Sequence, residues 1–383
     1  MKVLIKTLFA LLIVLLVGTA CQPVPTPYAI VERVVQGPPL QTALFVLNRG
    51  SDKLDFLAYG DSPDISPDGK KILYSLEDEG LNPRGIKNDE IWVTDLLGNK
   101  PVNLTNTISL GEHYPKWSPD GKLISYVARH PYEEDICFMN TDGNQNWCLS
   151  DALYLALEPY WDPNEVYGGN CQLPYEPTSI RKIEWLSKPV GTDELKIAFV
   201  STNYGTLGDC KGRGISTLNT LTLHKGILSD LSVLTEASWF YTSPDGTEIM
   251  FTRWLDDDNI YKIDVDGSNL IKLIEPSREC LINMPGWSPD GSQILFSNQC
   301  HVYIDDKFMK LSVIDSDGTD YKGLTNNSKL EGARWSPDGS IVFKDDGGVG
   351  TNYWIWNLRT DTNVPLTRKV AGEHDLDIVF FPK

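Results

Sequence analysis

Basic residues are scarce in this chain: 34 Lys and Arg stand against 52 Asp and Glu, a net charge of -18 over 383 residues. A surface of that sign cannot neutralise phosphates, which argues against nucleic acid as a partner. It also repels anionic lipid, so the acidity reads as a solubility property. Long apolar runs are missing after residue 20, which leaves no second membrane span. There are five histidines and no H-E-x-x-H, no P-loop and no Rossmann glycine pattern. No C-x-x-C pair occurs among the seven cysteines, against a thiolate metal site. A G-x-S-x-G elbow is absent, and the last repeat runs to the end of the sequence, so peptidase chemistry is not expected.

What is abundant is turn chemistry. With 31 Gly, 24 Pro and 10% aromatic residues, the composition favours many short strands over long helices. One pentapeptide recurs: Trp117-Ser118-Pro119-Asp120-Gly121, Trp287-Ser288-Pro289-Asp290-Gly291 and Trp335-Ser336-Pro337-Asp338-Gly339. Weaker copies begin at Ile65 and Thr242. Pro presets φ, Asp folds back onto nearby amides and Gly accepts positive φ, so each copy is a hairpin turn. A β-rich run follows each one, as in Leu123-Ile124-Ser125-Tyr126 and Gln293-Ile294-Leu295-Phe296. The repeated tryptophans read as core residues packed between neighbouring units.

Each unit continues with a third strand, an Asp-Gly-like turn and a fourth strand near Leu-Thr, as in Ile91–Thr94 followed by Asn103–Thr105. Four strands at this spacing make one propeller blade. Between Ser150 and Trp239 the pattern predicts one blade, with a confident strand at Lys196–Val200 and an insertion around 151–183. At the ends, Phe380-Phe381-Pro382 falls where Trp-Ser-Pro falls elsewhere, supplying one inner strand. Ile30–Val35, Ala43–Leu47 and Leu54–Leu57 supply the three strands that it lacks. The predicted fold is an all-β propeller of seven four-stranded blades, closed by a composite blade from both termini; six or eight are the alternative counts.

The N-terminus reads as a signal peptide over 1–20: Lys2 and Lys6, an apolar core from Leu8 to Val17, then small residues. Thr19-Ala20-Cys21 resembles the end of a bacterial lipobox, although Gly18 departs from the larger aliphatic usual there. That resemblance implies lipidation at Cys21 and a cell-envelope, membrane-anchored lipoprotein. Residues 21–39 then form a Pro-rich tether leading into the first strand, and 40–383 the propeller domain. Setting Cys21 aside leaves an even set for an oxidising compartment. Cys137 and Cys148 flank Asp142-Gly143 symmetrically, Cys280 and Cys300 flank Asp290, and Cys171 with Cys210 remain as the third disulfide expected. Fifteen pairings are formally open.

W-S-P-D-G followed by an apolar strand, and later by D-G and L-T, resembles the WD-like repeat of TolB-type β-propellers. The resemblance covers nearly all of 40–383. It implies a binding surface for a protein or ligand and carries no catalytic residues. TolB itself has a small α/β domain before its propeller, whereas here only the tether does, which speaks against a direct TolB role.

The reading is therefore a non-enzymatic scaffold, a monomer anchored by its N-terminal lipid, that recognises a protein or glycan on one propeller face. Two alternatives come from other classes. In one, Glu112-His113, Glu331 and Glu373-His374 meet at one end of the channel as a metal-dependent polysaccharide lyase or other channel-mouth enzyme. In the other, Asp256-Asp257-Asp258 holds calcium on a calcium-binding surface protein. Exposed aromatics in the insertion, Tyr160, Trp161, Tyr167 and Tyr175, are a candidate platform for sugar or peptide. No cofactor is otherwise expected.

Overall fold

Short strands rich in β-branched and aromatic residues, each halted by a Pro-Asp-Gly or Asp-Gly turn, pair locally into antiparallel sheets. The computed structural model describes residues 26–35, 41–51, 53–81, 87–107, 111–129, 134–149, 178–186, 194–203, 215–225, 227–253, 259–274, 280–301, 307–325, 330–345, 352–358, 360–367 and 374–381. Three N-terminal strands, β1 (Pro27–Val35), β2 (Gln41–Asn48) and β3 (Leu54–Tyr59), come first. Blade one is β4 (Asp61–Ile65), β5 (Lys71–Leu81), β6 (Lys87–Asp95) and β7 (Val102–Asn103). Blade two is β8 (Gly111–Trp117), β9 (Leu123–Arg129), β10 (Glu134–Asn140) and β11 (Trp147–Cys148). Blade three is β12 (Thr178–Trp185), β13 (Glu194–Asn203), β14 (Ile215–His224) and β15 (Ile227–Glu236). Blade four is β16 (Trp239–Thr242), β17 (Glu248–Thr252), β18 (Ile260–Asp264) and β19 (Ile271–Ile274). Blade five is β20 (Cys280–Trp287), β21 (Gln293–His301), β22 (Lys307–Asp315) and β23 (Lys322–Thr325). Blade six is β24 (Leu330–Trp335), β25 (Ile341–Asp345), β26 (Asn352–Asn357) and β27 (Thr362–Pro365). The last strand, β28 (His374–Phe380), joins β1, β2 and β3 in the order β28-β1-β2-β3.

The molecule is thus an all-β propeller of seven four-stranded blades, closed by both termini. The closing register runs Val31↔Ile378 and Ala29↔Phe380, with Tyr28 edge-on to Phe380 at 5.3 Å. β12 begins at Thr178, inside the stretch 151–183 read as inserted, and the irregular middle contains one blade.

The S-P-D-G turns hold each first strand to its second through a buried serine. Ser118 Oγ donates to Asp120 Oδ1 at 2.8 Å and accepts the Leu123 amide at 2.9 Å. Ser66, Ser243 and Ser288 repeat both bonds. Asp120 Oδ1 also accepts the Lys122 amide, the backbone contact the motif predicts. The hub role of serine is the addition. Gly121 and Gly291 take φ values of 67° and 73° here, which only glycine adopts freely.

Blades adhere through apolar side chains at their interfaces. Trp117 packs with Leu73, Ile91 and Val93 of blade one, and Trp287 with Met250 and Ile260 of blade four. Their relative exposures of 7% and 9% fit the core assignment, whereas Trp335 is only partly buried against Leu295, Leu311 and Val313. The Trp287 indole donates to Tyr241 O at 3.3 Å, and Trp185 to Lys116 O at 3.3 Å, so each stitches its blade to the one before. Cys137 and Cys148 form a disulfide between β10 and β11. Cys280 lies opposite Cys300 in the β20–β21 register, as expected for the second pair. Cys21, Cys171 and Cys210 fall outside the described residues.

Candidate functional site

The first strand of each blade lines the central channel, and its sequence decides what the channel wall presents. Register shifts interrupt β4, β8, β12, β20 and β24 on the entry side of the Trp or its substitute. Three of them contain a residue at positive φ four places before the turn serine: Ser62, Tyr114 and Gly332. Such bulges turn successive side chains out of simple alternation and re-aim them.

Beyond the bulge, the residue just before the Trp position faces inward. The series is Asp64, Lys116, Glu184, Tyr241, Gly286 and Arg334. With Lys182 and Asp377 it forms a charged belt whose cations and anions are paired. Lys116 Nζ sits 3.4 Å from Asp64, Lys182 Nζ 3.2 Å from Glu184 and Arg334 Nη1 2.6 Å from Asp377. The groups also feel one another around the ring: Lys116 lies in the fields of Glu184 and Asp377, and Tyr241 in those of Arg334 and Glu184.

These pairs set the protonation states. The Asp64 carboxylate holds the Lys116 ammonium above its ordinary value against the cost of desolvation, while burial raises Asp64 itself against the pull of Lys116 and the Trp117 amide. Burial pushes the Glu184 carboxyl up, but Lys182 and Lys116 outweigh it and leave it below the usual range. Burial pulls Lys182 down more than Glu184 raises it. Lys182 also donates to Phe240 O at 2.8 Å and lies 4.1 Å from the Tyr241 ring centroid and 5.2 Å from that of Trp239.

Towards the entry of these strands the character turns acidic. His113 Nδ1 pairs with Asp89 Oδ2 at 3.1 Å, and burial with the nearby Arg129 holds the imidazole below its usual value. Burial raises Asp61, and it raises Glu32 to about 7 with help from Asp61. Glu112, read from sequence as a channel-mouth group, is 1% exposed and lies between blades one and two, where Thr107 Oγ1 donates to its Oε1 at 2.5 Å. Glu90 accepts from Thr105 Oγ1 and the Thr107 amide beside it. Burial and then the Glu90 charge, opposed by the Thr107 bond, raise Glu112 to about 8.

Of the other candidates, Glu331 and His374 are placed by their backbones on β24 and β28, and their side chains lie outside the described residues. Glu373, Asp256, Asp257, Asp258, Tyr160, Trp161, Tyr167 and Tyr175 also lie outside them. Among the described residues no three His, Cys, Asp or Glu side chains are disposed to hold a metal ion. The belt itself was missed by sequence reasoning. For Asp64, Lys116, Glu184 and Arg334 the signal was available at one fixed position, the residue before the Trp or its substitute; Lys182 and Asp377 lie off that position. Away from the channel, a shallow groove of about 430 Å³ follows the seam of blade six with the closing blade, between Arg49 and Asp338.

No protein-family model matches the chain. Dipeptidyl-peptidase 5 of Porphyromonas gingivalis is 34% identical over 74 residues, which cover 18% of this chain and 11% of that protein. The chain thus matches about a tenth of the length of that curated relative. An oligogalacturonate lyase solved with manganese superposes with a TM-score of 0.56 at 14% identity, over 90% of this chain and 86% of the lyase. TolB from Acinetobacter baumannii gives 0.44 at 17% identity, over 77% of this chain and 63% of TolB. The lyase superposition establishes the propeller fold and nothing narrower.

Proposed function

We propose that this chain is a non-enzymatic recognition propeller of a bacterial cell envelope, held to the membrane through Cys21, that binds its partner at the channel. The observation that carries the reading is the belt. A wall of carboxylates, ammonium groups and a guanidinium, each neutralised by its neighbour, keeps donors and acceptors beyond those the pairs use. Such a surface recognises polar ligands by hydrogen bonding.

A photo-crosslinking residue at Tyr114, 45% exposed on the β8 bulge two places before Lys116 of the belt, tests it in cells against the same residue at Val102, 50% exposed on an outermost strand. A discrete adduct at Tyr114 alone is expected, weakened by Arg334→Glu. Equal labelling at both positions would overturn the reading. Incorporation of labelled fatty acid, lost in Cys21→Ser, checks the anchor.

A second reading has one observation in its favour. The Asp89 carboxylate on Nδ1 fixes the His113 ring and leaves Nε2 for a proton or an ion. With His374 this would serve a channel-mouth enzyme such as a polysaccharide lyase. A transition metal lost in His113→Ala, together with cleavage of an oligogalacturonide, would favour that reading over the scaffold.

A further inference from the structure

The channel wall is uneven: one position carries no side chain, and the blade next to it carries exposed aromatic surface. Where other blades present Asp64, Lys116, Glu184, Tyr241 and Arg334, blade five presents Gly286. A Cβ built on Gly286 meets nothing within 4 Å, so the wall has a recess there. On the neighbouring blade, β16 carries Trp239, which is exposed, and Tyr241, half-buried with its ring against the core cluster of Met250 and Trp287, while Phe240 between them is buried in the core. Lys182 Nζ lies over both rings, 5.2 Å from the Trp239 centroid and 4.1 Å from that of Tyr241, so the two rings and the ammonium form a shelf. Trp239 nevertheless remains 42% exposed. An exposed tryptophan on the blade next to Gly286 leaves apolar surface in water that a binding partner would cover.

We infer that the Trp239–Tyr241 shelf and the recess at Gly286 form a binding site for a pyranose ring of a neutral oligosaccharide. This rests on the proposal that the channel is a recognition site and names its ligand. The flat indole matches the C–H face of a pyranose, while the ring's hydroxyls need donors and acceptors at its edge. The ion pairs around the belt supply both, since each charged group keeps hydrogen-bonding capacity after pairing. The pairing itself disfavours a charged ligand. Every belt cation already faces an anion, so a uronate or a charged peptide finds no unmatched countercharge, and the chain's net charge of -18 disfavours an acidic polymer further. A hydroxyl-rich neutral ligand enters without breaking a pair.

The test is calorimetric titration of the full-length protein in mild detergent with cellohexaose, xylohexaose, mannohexaose and maltohexaose, beside hexagalacturonate and a mixed hexapeptide pool. Binding of at least one neutral sugar is expected, with an affinity insensitive to added salt. Trp239→Ala should weaken it about tenfold or more, and Gly286→Leu, which fills the recess, should abolish it. Unchanged melting of both variants would establish that the site, not the fold, was lost; Trp239→Phe, keeping an aromatic face, should restore part of the affinity in any case. Failure of all four neutral sugars to bind, binding by hexagalacturonate or the peptides alone, or equal affinity in Trp239→Ala would each overturn the inference. Failure here with the Tyr114 adduct intact leaves the recognition reading standing. A neutral sugar that binds and is recovered shortened would keep the site and remove the non-enzymatic reading.

Discussion

Single residues carry the repeat. Ser288 is buried and bonded to Asp290 and to the Gln293 amide, so Ser288→Ala strips a partner from each. A loss of about 1–2 kcal/mol in urea denaturation is expected. The same bonds hold Asp290 near 2: Ser288 and Ser292 stabilise its carboxylate and pull its pKa down to about 2. A depressed acid contributes stability above its unfolded pKa, and that contribution is lost as pH falls towards 2. Acid unfolding should therefore begin at higher pH in Ser288→Ala. Trp287→Ala, which empties the seam between blades four and five, should cost on the order of 3–5 kcal/mol. A melting curve that did not move would reject the core role.

At the scale of the strand, the turns and the bulges divide what could be read from sequence. The S-P-D-G copies are visible because the chemistry of a tight turn is local, and with them came strands at Lys196–Val200 and Ala43–Leu47 that the structure contains. The channel wall was hidden because the bulges break the alternation that such reading depends on. Counting back by twos from Lys116 gives Tyr114 and then Glu112 on the channel side. The shift between His113 and Lys116 instead turns Glu112 into the seam between blades. The Cys137–Cys148 pair was legible for the opposite reason, since a hairpin turn fixes which residues face each other. Their link spans 11 residues across an edge hairpin, and Cys137→Ser with Cys148→Ser should lower stability by about 2–4 kcal/mol. Reduction of the wild type should lower its melting temperature in the same direction.

Over the whole molecule, two carboxyls at the seams on either side of blade one make stability depend on pH. Glu112, raised to about 8, and Glu32, raised to about 7, bind protons more tightly folded than unfolded. Stability from such groups is complete below their unfolded pKa and declines as pH rises through the folded values. Glu112→Gln removes one of them while retaining an oxygen for the Thr107 hydroxyl. Urea midpoints at about pH 5 and about pH 9 should differ less in Glu112→Gln than in the wild type. An undiminished difference would assign the dependence elsewhere.

The closing blade also gives the molecule a polarity. β1 runs antiparallel to β28, so the chain enters β1 at the end where β28 finishes and where the S-P-D-G turns of the other blades lie. His113, Asp89 and Asp61 sit at the opposite end of the ring, where the first strands begin. An anchor at Cys21 would therefore draw the turn-bearing base towards the bilayer and point the acidic rim away from it, like a cup standing on a table with its opening to whatever passes above.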